Sequence, residues 1–460
     1  MSYPMTSAFT DMLRYGTFLV DARLTVFQKG KRLTTIILPV STIRITMDRN
    51  STFRCQGTIA VEVVPTVPPP PYLPVTPAGL LSPLENEIYV ETRLLSKTTN
   101  ADRYVPLGLF SIDTTKTDDT GVDLLVTVHV YTRAWRIGQN LFQKAYTVPA
   151  ATGTLAGELE HLLTLAWDTP TAPLTFSGIM KTGATLKVPA QSFTQGTSPW
   201  TAAQQLALSV GYEVWITSAT IVRPTTTAPP TSIKPIVMAR RVPTGFLGHI
   251  TVTGVTKTIV TWLPTKSAGV QQPSWFFTTT KTLVYGSGTG QGDSALYGDQ
   301  YTVPVGTQIQ MTTTGVYNQV IMTGASPATA PGATNATGTA AANTKPIVAV
   351  ATTPKAKTTR VRPEFVSTSY ITSVTGARQA AISHLAQSLA DAWQVTVTTA
   401  PNPTLRINDI ISITRPRLGL NQAIAIVDTI THTVSFSTLT TITGRIIKNN
   451  TTRWSVPKGS

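Results

Sequence analysis

The sequence predicts a mainly β, multidomain protein of the α+β class, with a β domain at each end and a small α/β domain between them. Alternation of apolar and polar residues dominates both ends of the chain, whereas helical spacing of apolar residues is confined to short segments. Thr, Val and Pro are used heavily, which favours strands and rigid connections. With 460 residues, the chain is too long for one ordinary core.

The composition is that of a packed protein. Hydrophobic residues make up 41% of the chain and charged residues 13%, which argues against a disordered chain of high net charge. The single cysteine, Cys55, cannot form an intrachain disulfide. It lies on the apolar side of the alternating segment 53–59, so we expect a small core residue and not a reactive thiol.

Residues 1–140 are predicted to form an N-terminal β domain, a barrel or sandwich. Segment 20–26 alternates as a half-buried strand does, and the polar corner 48–51 between two alternating runs predicts a hairpin. The proline-rich stretch 65–77 cannot pair in a central strand and is predicted to be an extended loop. Further strands are predicted at 87–90, 105–110 and 124–130.

Residues 141–220 are predicted to form a small α/β domain. Thr154 is placed to cap a first helix, which carries leucines on one side. A second helix has Ser198 at the N-cap, Pro199 at its first position and Gly211 just past its end. The strand 212–216 follows at once.

The second half of the chain is less regular. We interpret 221–314 as an inserted β-rich or loop region, with short strand patterns among Thr- and Pro-rich runs. Residues 315–460 are predicted to form a C-terminal β domain with one helix at 377–393. The Ala-, Thr- and Pro-rich arm 325–358 is expected to be extended. Strands are predicted at 405–407, 410–413, 423–427 and 434–441.

Positive charge is concentrated late in the chain. The formal net charge is +15, and no acid lies between Glu213 and Asp293, a stretch that contains seven basic residues: Arg223, Lys234, Arg240, Arg241, Lys257, Lys266 and Lys281. Such a stretch suits phosphate or an acidic protein surface, but a solvated, threonine-rich surface explains it equally well. Proteins that read bases usually show tighter clusters of basic residues with interleaved aromatic ones, so we do not expect sequence-specific nucleic-acid recognition.

No targeting or membrane signal is evident. The first residues lack a basic leader followed by an apolar stretch, so we expect no signal peptide. No apolar run approaches the roughly 20 residues that span a bilayer, so we expect no membrane insertion. The sequence is that of a protein made in a cytoplasm.

Chemistry-bearing patterns are weak throughout. The close acidic pairs are Glu85/Glu87, Asp118/Asp119 and Glu158/Glu160. The second pair lies in a predicted polar turn, where aspartate is common. The third pair lies in the first turn of a predicted helix, where the helix dipole favours acidic residues. None of the five histidines (His129, His161, His249, His384 and His432) has a second one at metal-ligand spacing. The glycine-rich run 286–292 lacks the strand-to-helix context of a phosphate loop. We therefore predict no catalytic residues, no cofactor-binding residues, no metal ligands and no enzyme activity.

Segments 87–90, 104–112 and 128–135 resemble the N-terminal domain of an actinobacteriophage tail protein family. That family carries a Val-Pro-Leu-Gly strand, which is followed by a strand ending near Asp-Arg-Ala. Here Thr132 stands where the family usually has the acid.

Segments 315–324, 377–393, 401–411, 415–419 and 428–432 resemble the closing half of baseplate hub proteins of long-tailed, siphovirus-type phages. Those hubs are similar to the trimeric hub of contractile injection systems. The two resemblances together cover about half of the chain and leave 225–310 unmatched.

The resemblance implies a homotrimeric hub at the virion tail tip, in which two β-barrel, tube-like domains flank the small α/β domain. The ring would cap the tail tube and support channel gating, host attachment and genome ejection. Implied partners are the distal tail protein, the tail tube protein, the tape measure protein and tail fibre or tip proteins. DNA would meet this chain only in transit, and no cofactor is implied.

Three alternatives remain open at this point. The chain resembles a hub, but a hexameric distal tail protein is also a β-rich ring component. A tail-associated cell-wall hydrolase belongs to another class. A carbohydrate-binding tip protein is the third, with Trp262, Trp275 and Phe276 as its candidate surface.

Overall fold

The computed structural model describes residues 18–28, 30–38, 42–63, 73, 76, 79–83, 86–96, 102–119, 124–148, 153–165, 175–176, 188, 192–218, 235–241, 248–252, 255–259, 275–278, 301–302, 305–324, 346–353, 360–368, 371, 374–403, 405–434 and 439–448. The N-terminal strands are β1 (Phe18–Gln28), β2 (Lys31–Leu38), β3 (Thr42–Asp48), β4 (Cys55–Val63), β5 (Asn86–Ser96), β6 (Asp102–Asp119) and β7 (Leu124–Thr132). They pair antiparallel in the order β3-β4-β7-β6-β5-β1-β2.

The hairpin of β3 and β4 follows directly from the alternating pattern. Ile43 and Ile45 are buried on one face while Arg44 is exposed on the other, as the period of two requires. The turn between the strands is closed by the amide of Asp48, which donates to the carbonyl oxygen of Arg54 at 2.8 Å. Cys55 begins β4 and is buried, so the predicted hairpin and the core position of the cysteine are confirmed.

The central elements are α1 (Arg133–Gln139), β8 (Tyr146–Thr147), α2 (Leu155–Leu165), β9 (Thr175–Phe176), β10 (Ser192–Phe193), α3 (Pro199–Ser209) and β11 (Tyr212–Ser218). The Ser198 hydroxyl caps α3 by accepting a hydrogen bond from the Thr201 amide at 3.0 Å. Gly211 ends the helix with a φ of 77°, a left-handed value that favours glycine. The caps and the strand predicted from the sequence are confirmed.

The next elements are β12 (Pro235–Arg241), β13 (Gly248–Val252), β14 (Val255–Ile259), β15 (Trp275–Thr278), β16 (Tyr301–Thr302), β17 (Gly306–Met311), β18 (Gln319–Thr323), β19 (Val348–Thr352), β20 (Pro363–Ser367) and α4 (Val374–Ala390). β12 pairs with β11 and β9. β13 and β14 join β18, β19 and β20 in a five-stranded sheet that carries α4 on one face. The strands within 221–314 therefore contribute to three different sheets.

The chain ends with β21 (Trp393–Thr399), β22 (Ile410–Arg415), a short 3-10 helix (Pro416–Leu418), β23 (Leu420–Val434) and β24 (Thr440–Lys448). β22 and β24 both pair with β23, and β21 pairs with β24 and β17. β15 adds to β22 in parallel, and β16 adds to β15. These strands form the C-terminal half of a 14-stranded sheet.

One long strand joins the two halves of this sheet. The first part of β23 pairs with β22, whereas its last residues pair with β3 of the N-terminal half, from Thr429 opposite Asp48 to Val434 opposite Ile43. Each half covers its own apolar core. No pairing among the described strands closes either half into a barrel, so the two-barrel layout stays a proposal.

The structure corrects the predictions for the late helix and for three late strands. The late helix was predicted at 377–393 but ends at Ala390, and Trp393 begins β21. Trp393 lies four residues after Leu389, which is the spacing of residues on one face of a helix, and this spacing explains the wrong prediction. Residues 405–407 form part of a turn, in which the amide of Asp409 donates to the carbonyl oxygen of Arg406 at 3.1 Å.

The strands predicted at 423–427 and 434–441 are also differently arranged. β23 is one strand of 15 residues, and the following strand runs from Thr440 to Lys448. Asp118 and Asp119 lie at the end of β6, not in a turn, because they pair with Leu125 and Leu124 of β7. Most of the proline-rich stretch 65–77 and of the arm 325–358 lies outside the described residues.

Candidate functional site

A cluster of buried ion pairs lies where the two sheet halves meet the α/β layer. We call it the ionic junction and define it by Arg49, Arg54, Glu213, Asp428 and Arg445. Arg49 and Arg54 come from the turn between β3 and β4, and Glu213 from β11. Asp428 and Arg445 come from β23 and β24. The junction thus joins three parts of the chain that are distant in sequence.

The α/β layer is tied to the N-terminal half through Glu213. One of its carboxylate oxygens, Oε2, accepts from Nη2 of Arg54 at 2.8 Å and lies 3.7 Å from Nε of Arg49. The guanidinium of Arg54 also lies 5.4 Å from the ring centroid of Trp215. Arg54 adopts a φ of 59°, which is uncommon for a residue other than glycine. Its side chain can therefore turn back from the hairpin toward β11.

The C-terminal half is tied in through Asp428. Its Oδ2 accepts from Nε of Arg445 at 2.7 Å, and its Oδ1 lies 3.5 Å from Nη1 of Arg49. Arg445 is fully buried, whereas the more distant Asp391, 3.7 Å away, has a half-exposed side chain. Each of these carboxylates faces an arginine, so the cluster is suited to holding sheets together.

Burial controls the electrostatics of the junction. Desolvation, and then the positive charge of Arg445, lower the pKa of Arg49, while Glu213 and Asp428 act in the opposite direction. Desolvation is also the largest influence on Asp391 and raises its pKa, against the attraction of Arg445. Because the charges are out of water, loss of one partner leaves another uncompensated.

Arg406 makes a second bridge between the sheet halves. Its Nη1 donates to the carbonyl oxygens of Pro403 and Leu405 at 2.6 and 2.7 Å. Its Nη2 donates to the carbonyl oxygen of Pro106 in β6 of the N-terminal half. A guanidinium that satisfies several backbone carbonyls in this way fixes a loop against a neighbouring strand.

Two more buried pairs stabilise the N-terminal half. Arg133 at the start of α1 makes a two-pronged ion pair with Glu87 of β5. Arg23 donates to Glu91 at 2.7 Å and lies 3.6 Å from the ring centroid of Tyr104. Burial raises the pKa of Glu91, and the hydrogen bond from Arg23 opposes that shift.

The acidic residues that the sequence singled out are mostly engaged. Glu87 belongs to the pair with Arg133, and Asp118 lies 2.7 Å from the ammonium of Lys116 at the surface. Glu158 accepts a hydrogen bond from the Tyr146 hydroxyl at 3.0 Å. Desolvation, helped by that carboxylate, raises the pKa of Tyr146. Glu85 lies outside the described residues.

The cysteine and histidines occupy ordinary structural positions. Burial raises the pKa of the Cys55 thiol to about 12, which disfavours the reactive thiolate. His129 is exposed on β7, and the ring of His161 lies 5.6 Å from that of Tyr146. In the described part of the chain, no three His, Cys, Asp or Glu side chains gather closely enough to hold a metal ion. The absence of catalytic, cofactor and metal residues stays a prediction.

Several functional candidates lie where side chains are not described. Of the seven basic residues between Glu213 and Asp293, three (Arg240, Arg241 and Lys257) lie on strands, and the other four lie outside the described residues. Trp275 and Phe276 lie on β15. Trp262 and the glycine-rich run 286–292 lie outside the described residues. No helix in the described ranges is both long and apolar enough to cross a bilayer.

Thr132, which stands where the actinobacteriophage tail protein family usually has an acidic residue, makes a structural hydrogen bond. Its hydroxyl donates to the carbonyl oxygen of Phe53 at 2.7 Å, and so it links the end of β7 to the β3–β4 turn. The ionic junction itself was not predicted. The available signal was Arg445, a charge inside the otherwise apolar and threonine-rich strand β24.

His432 allows the effect of burial on stability to be tested by pH. Its ring is buried in β23, and desolvation, then the nearby charge of Arg406, lower its pKa from 6.5 to about 3. The folded protein therefore keeps this histidine neutral while the unfolded chain takes up a proton below pH 6.5. The stability contribution is complete above pH 6.5 and is lost as the pH falls toward 3.

We expect the midpoint of urea unfolding to fall between pH 6.5 and 4 in the wild type and to fall less steeply in His432→Gln. The exposed His129 provides the matched control, and His129→Gln should keep the wild-type slope. Identical slopes in His432→Gln and the wild type would show that this residue does not control the acid response.

Comparison with solved structures places this fold. A tail protein from Neisseria meningitidis is similar over 92% of this chain and 96% of its own, with a TM-score of 0.54 and 11% identity. The 43 kDa tail protein of prophage MuSo2 from Shewanella oneidensis is similar over 92% and 98%, with a TM-score of 0.51 and 10% identity. No family model and no curated protein sequence matches the chain.

The chain therefore shares its fold with these two tail proteins. At such low identity the likeness establishes a shared fold. The fold is mainly β, as the sequence predicted.

Proposed function

We propose that this chain is a hub subunit of a phage tail tip, three copies of which form a ring that caps the tail tube. The observation that carries the proposal is the fusion of two β-sheet halves by β23 within one chain. In such a hub, each half acts as one tube-like domain, so three chains supply six of them. The tail-protein fold, shared over nearly the whole chain, supports this reading.

The sheet edges support an assembly of copies. In the described part of the chain, β2 and β17 each pair on one side only. Val305, just before β17, and Met311, its last residue, are 66% and 74% exposed. An edge strand that exposes large apolar side chains invites pairing with another chain. Ring closure would cover such edges.

The proposed role is mechanical, without catalysis or a cofactor. The ring would support channel gating, host attachment and genome ejection at the tail tip of a siphovirus-type actinobacteriophage. Its neighbours would be the distal tail protein, the tail tube protein, the tape measure protein and fibre or tip proteins. Buried ion pairs and strand ladders would hold each subunit as one unit.

The oligomeric state tests the proposal. We expect native mass spectrometry of the full chain to give three times 49.3 kDa and averaged electron micrographs to show threefold particles. Six copies with sixfold symmetry would instead identify a distal tail protein. A monomer that cleaves host cell walls would overturn both the hub and the structural role.

A further inference from the structure

The five-stranded sheet of β13, β14, β18, β19 and β20 is covered by α4 on one face. Val320 and Met322 of β18 point to that face and belong to the buried core beneath the helix. Successive side chains of a strand point to opposite faces, so the residue between them lies on the other face. We call this other face the open face. Its described apolar residues on β18, β19 and β20 include Ile321, Val348, Val350 and Phe365.

Apolar side chains form a row across the open face. Ile321 pairs with Phe365 of β20 on one side and with Val350 of β19 on the other. Phe365 is 74% exposed and Val348 is 45% exposed. The described residues of β18, β19 and β20 on this face are all uncharged. Contiguous exposed apolar residues of this kind mark interaction sites.

The row ends at an edge strand. β20 pairs in parallel with β18, and in the described part of the chain no strand pairs with its other side, which we call the free edge. The Thr368 amide donates to the carbonyl oxygen of Thr323 at 2.9 Å, on the side of β18. Backbone groups alternate in direction along a strand, so the amide and carbonyl groups of Phe365 and Ser367 point to the free edge. An added strand would pair with these groups.

The residues that lead into β20 are basic and held in place. Arg360 and Arg362 are exposed. The Asn318 side chain donates from Nδ2 to the carbonyl oxygen of Arg360 at 3.0 Å and accepts at Oδ1 from the Arg362 amide at 2.7 Å. Arg362 and Glu364 lie an odd number of residues from Phe365, and so on the other side of the strand. With Arg360, this other side carries two positive charges and one negative charge.

We propose that the open face and the free edge of β20 bind an extended segment of a partner protein in which apolar and acidic residues alternate. The segment adds to β20 as a further strand, through backbone hydrogen bonds to Phe365 and Ser367. Its apolar side chains extend the row on the open face, and its acidic side chains, on the opposite side, meet Arg360 and Arg362. The alternation follows from the two sides of β20, one uncharged and the other net positive.

Peptide binding tests the chemistry of the partner. The probes are three labelled peptides that alternate valine with glutamate, with lysine or with serine, and fluorescence anisotropy measures their binding to the full chain. We expect the glutamate peptide to bind about tenfold more tightly than the other two, because two exposed ion pairs contribute about that much. The preference should fall at high salt. Equal affinity for the glutamate and lysine peptides would contradict an acidic partner, and no binding of any peptide would overturn the docking surface.

Two substitutions test the face and the edge separately. Phe365→Ser removes the exposed ring and is expected to weaken binding of the glutamate peptide by about tenfold or more. Leu208, 45% exposed on α3, is the matched control, and Leu208→Ser should bind like the wild type. Ser367→Pro removes an amide that points to the free edge and leaves the pairing with β18 in place, so it should abolish binding. Wild-type affinity in Ser367→Pro would contradict the added strand.

A charge reversal gives a result that a misfolded chain cannot produce. The double variant Arg360→Glu and Arg362→Glu should prefer the lysine peptide over the glutamate peptide. Both side chains are exposed, and the contacts with Asn318 use backbone groups of these residues, so the local fold should be kept. An unchanged preference for glutamate would show that these arginines do not select the partner.

The oligomeric state separates this inference from the proposed hub. Native mass spectrometry of the wild type and of Phe365→Ser should give the same number of copies. A trimer that dissociates on this change would make the open face a contact between copies, and would overturn the inference while the hub stands. Binding of the glutamate peptide by a chain that stays monomeric would support the inference and overturn the hub.

Discussion

Glu213→Gln is expected to lower the free energy of unfolding by about 3–5 kcal/mol, because breaking a buried ion pair on one side leaves its partners without a counter-charge. Arg49 and Arg54 both face the Glu213 carboxylate and are nearly excluded from solvent. Glutamine preserves the size of the side chain, so the change reports charge and not volume. Urea unfolding of the two proteins measures the difference.

The exposed pair of Lys116 and Asp118 provides the control. Its side chains are 70% and 42% exposed, and exposed pairs contribute only about 0–1 kcal/mol. Asp118→Asn should therefore leave the midpoint nearly unchanged. Equal effects of Glu213→Gln and Asp118→Asn would show that the ionic junction contributes no more than a surface pair.

Trp200→Ala is expected to cost about 3–5 kcal/mol, the range for truncating a large buried aromatic residue. Trp200 is fully buried in the core of the α/β layer. Its Nε1 also donates to the carbonyl oxygen of Thr52 at 3.0 Å, so the side chain fastens the layer to the β3–β4 turn. Thermal or urea unfolding measures the loss.

Trp200→Phe keeps an aromatic ring in the core but removes the indole N–H and part of the ring volume. Gln204 also donates to the Thr52 carbonyl, at 2.9 Å, so this oxygen keeps a partner and the lost hydrogen bond should cost only about 0.5–1.5 kcal/mol. The exposed Leu208 on the same helix is the control, and Leu208→Ala should have little effect. If phenylalanine proved as costly as alanine, the part of the indole that phenylalanine lacks, including its N–H, would account for most of the stabilisation.

Local patterns in the sequence predicted the local structure. The β3–β4 hairpin, the Ser198 cap and the end of α3 at Gly211 each depend on residues that are close in sequence. Alternation and capping are local properties, so the sequence shows them directly. The end of α4 was predicted too late for the same reason, because the helical spacing of apolar residues continues to Trp393, past the turn that ends the helix.

The junction could not be predicted because its partners are distant in sequence. Arg54 and Glu213 are 159 residues apart, and Arg49 and Asp428 are 379 apart. A single sequence shows each arginine but not the carboxylate that meets it. The same limit applies to β15, whose parallel pairing with β22 has no local signal.

The shared strand β23 has a mechanical consequence. Its backbone hydrogen bonds pair it with β22 and β24 in the C-terminal half and with β3 in the N-terminal half. Rotation of one half against the other would therefore require several of these hydrogen bonds to break together. In the proposed ring, such a subunit would turn as a rigid block. Any widening of that ring would then occur at the contacts between copies.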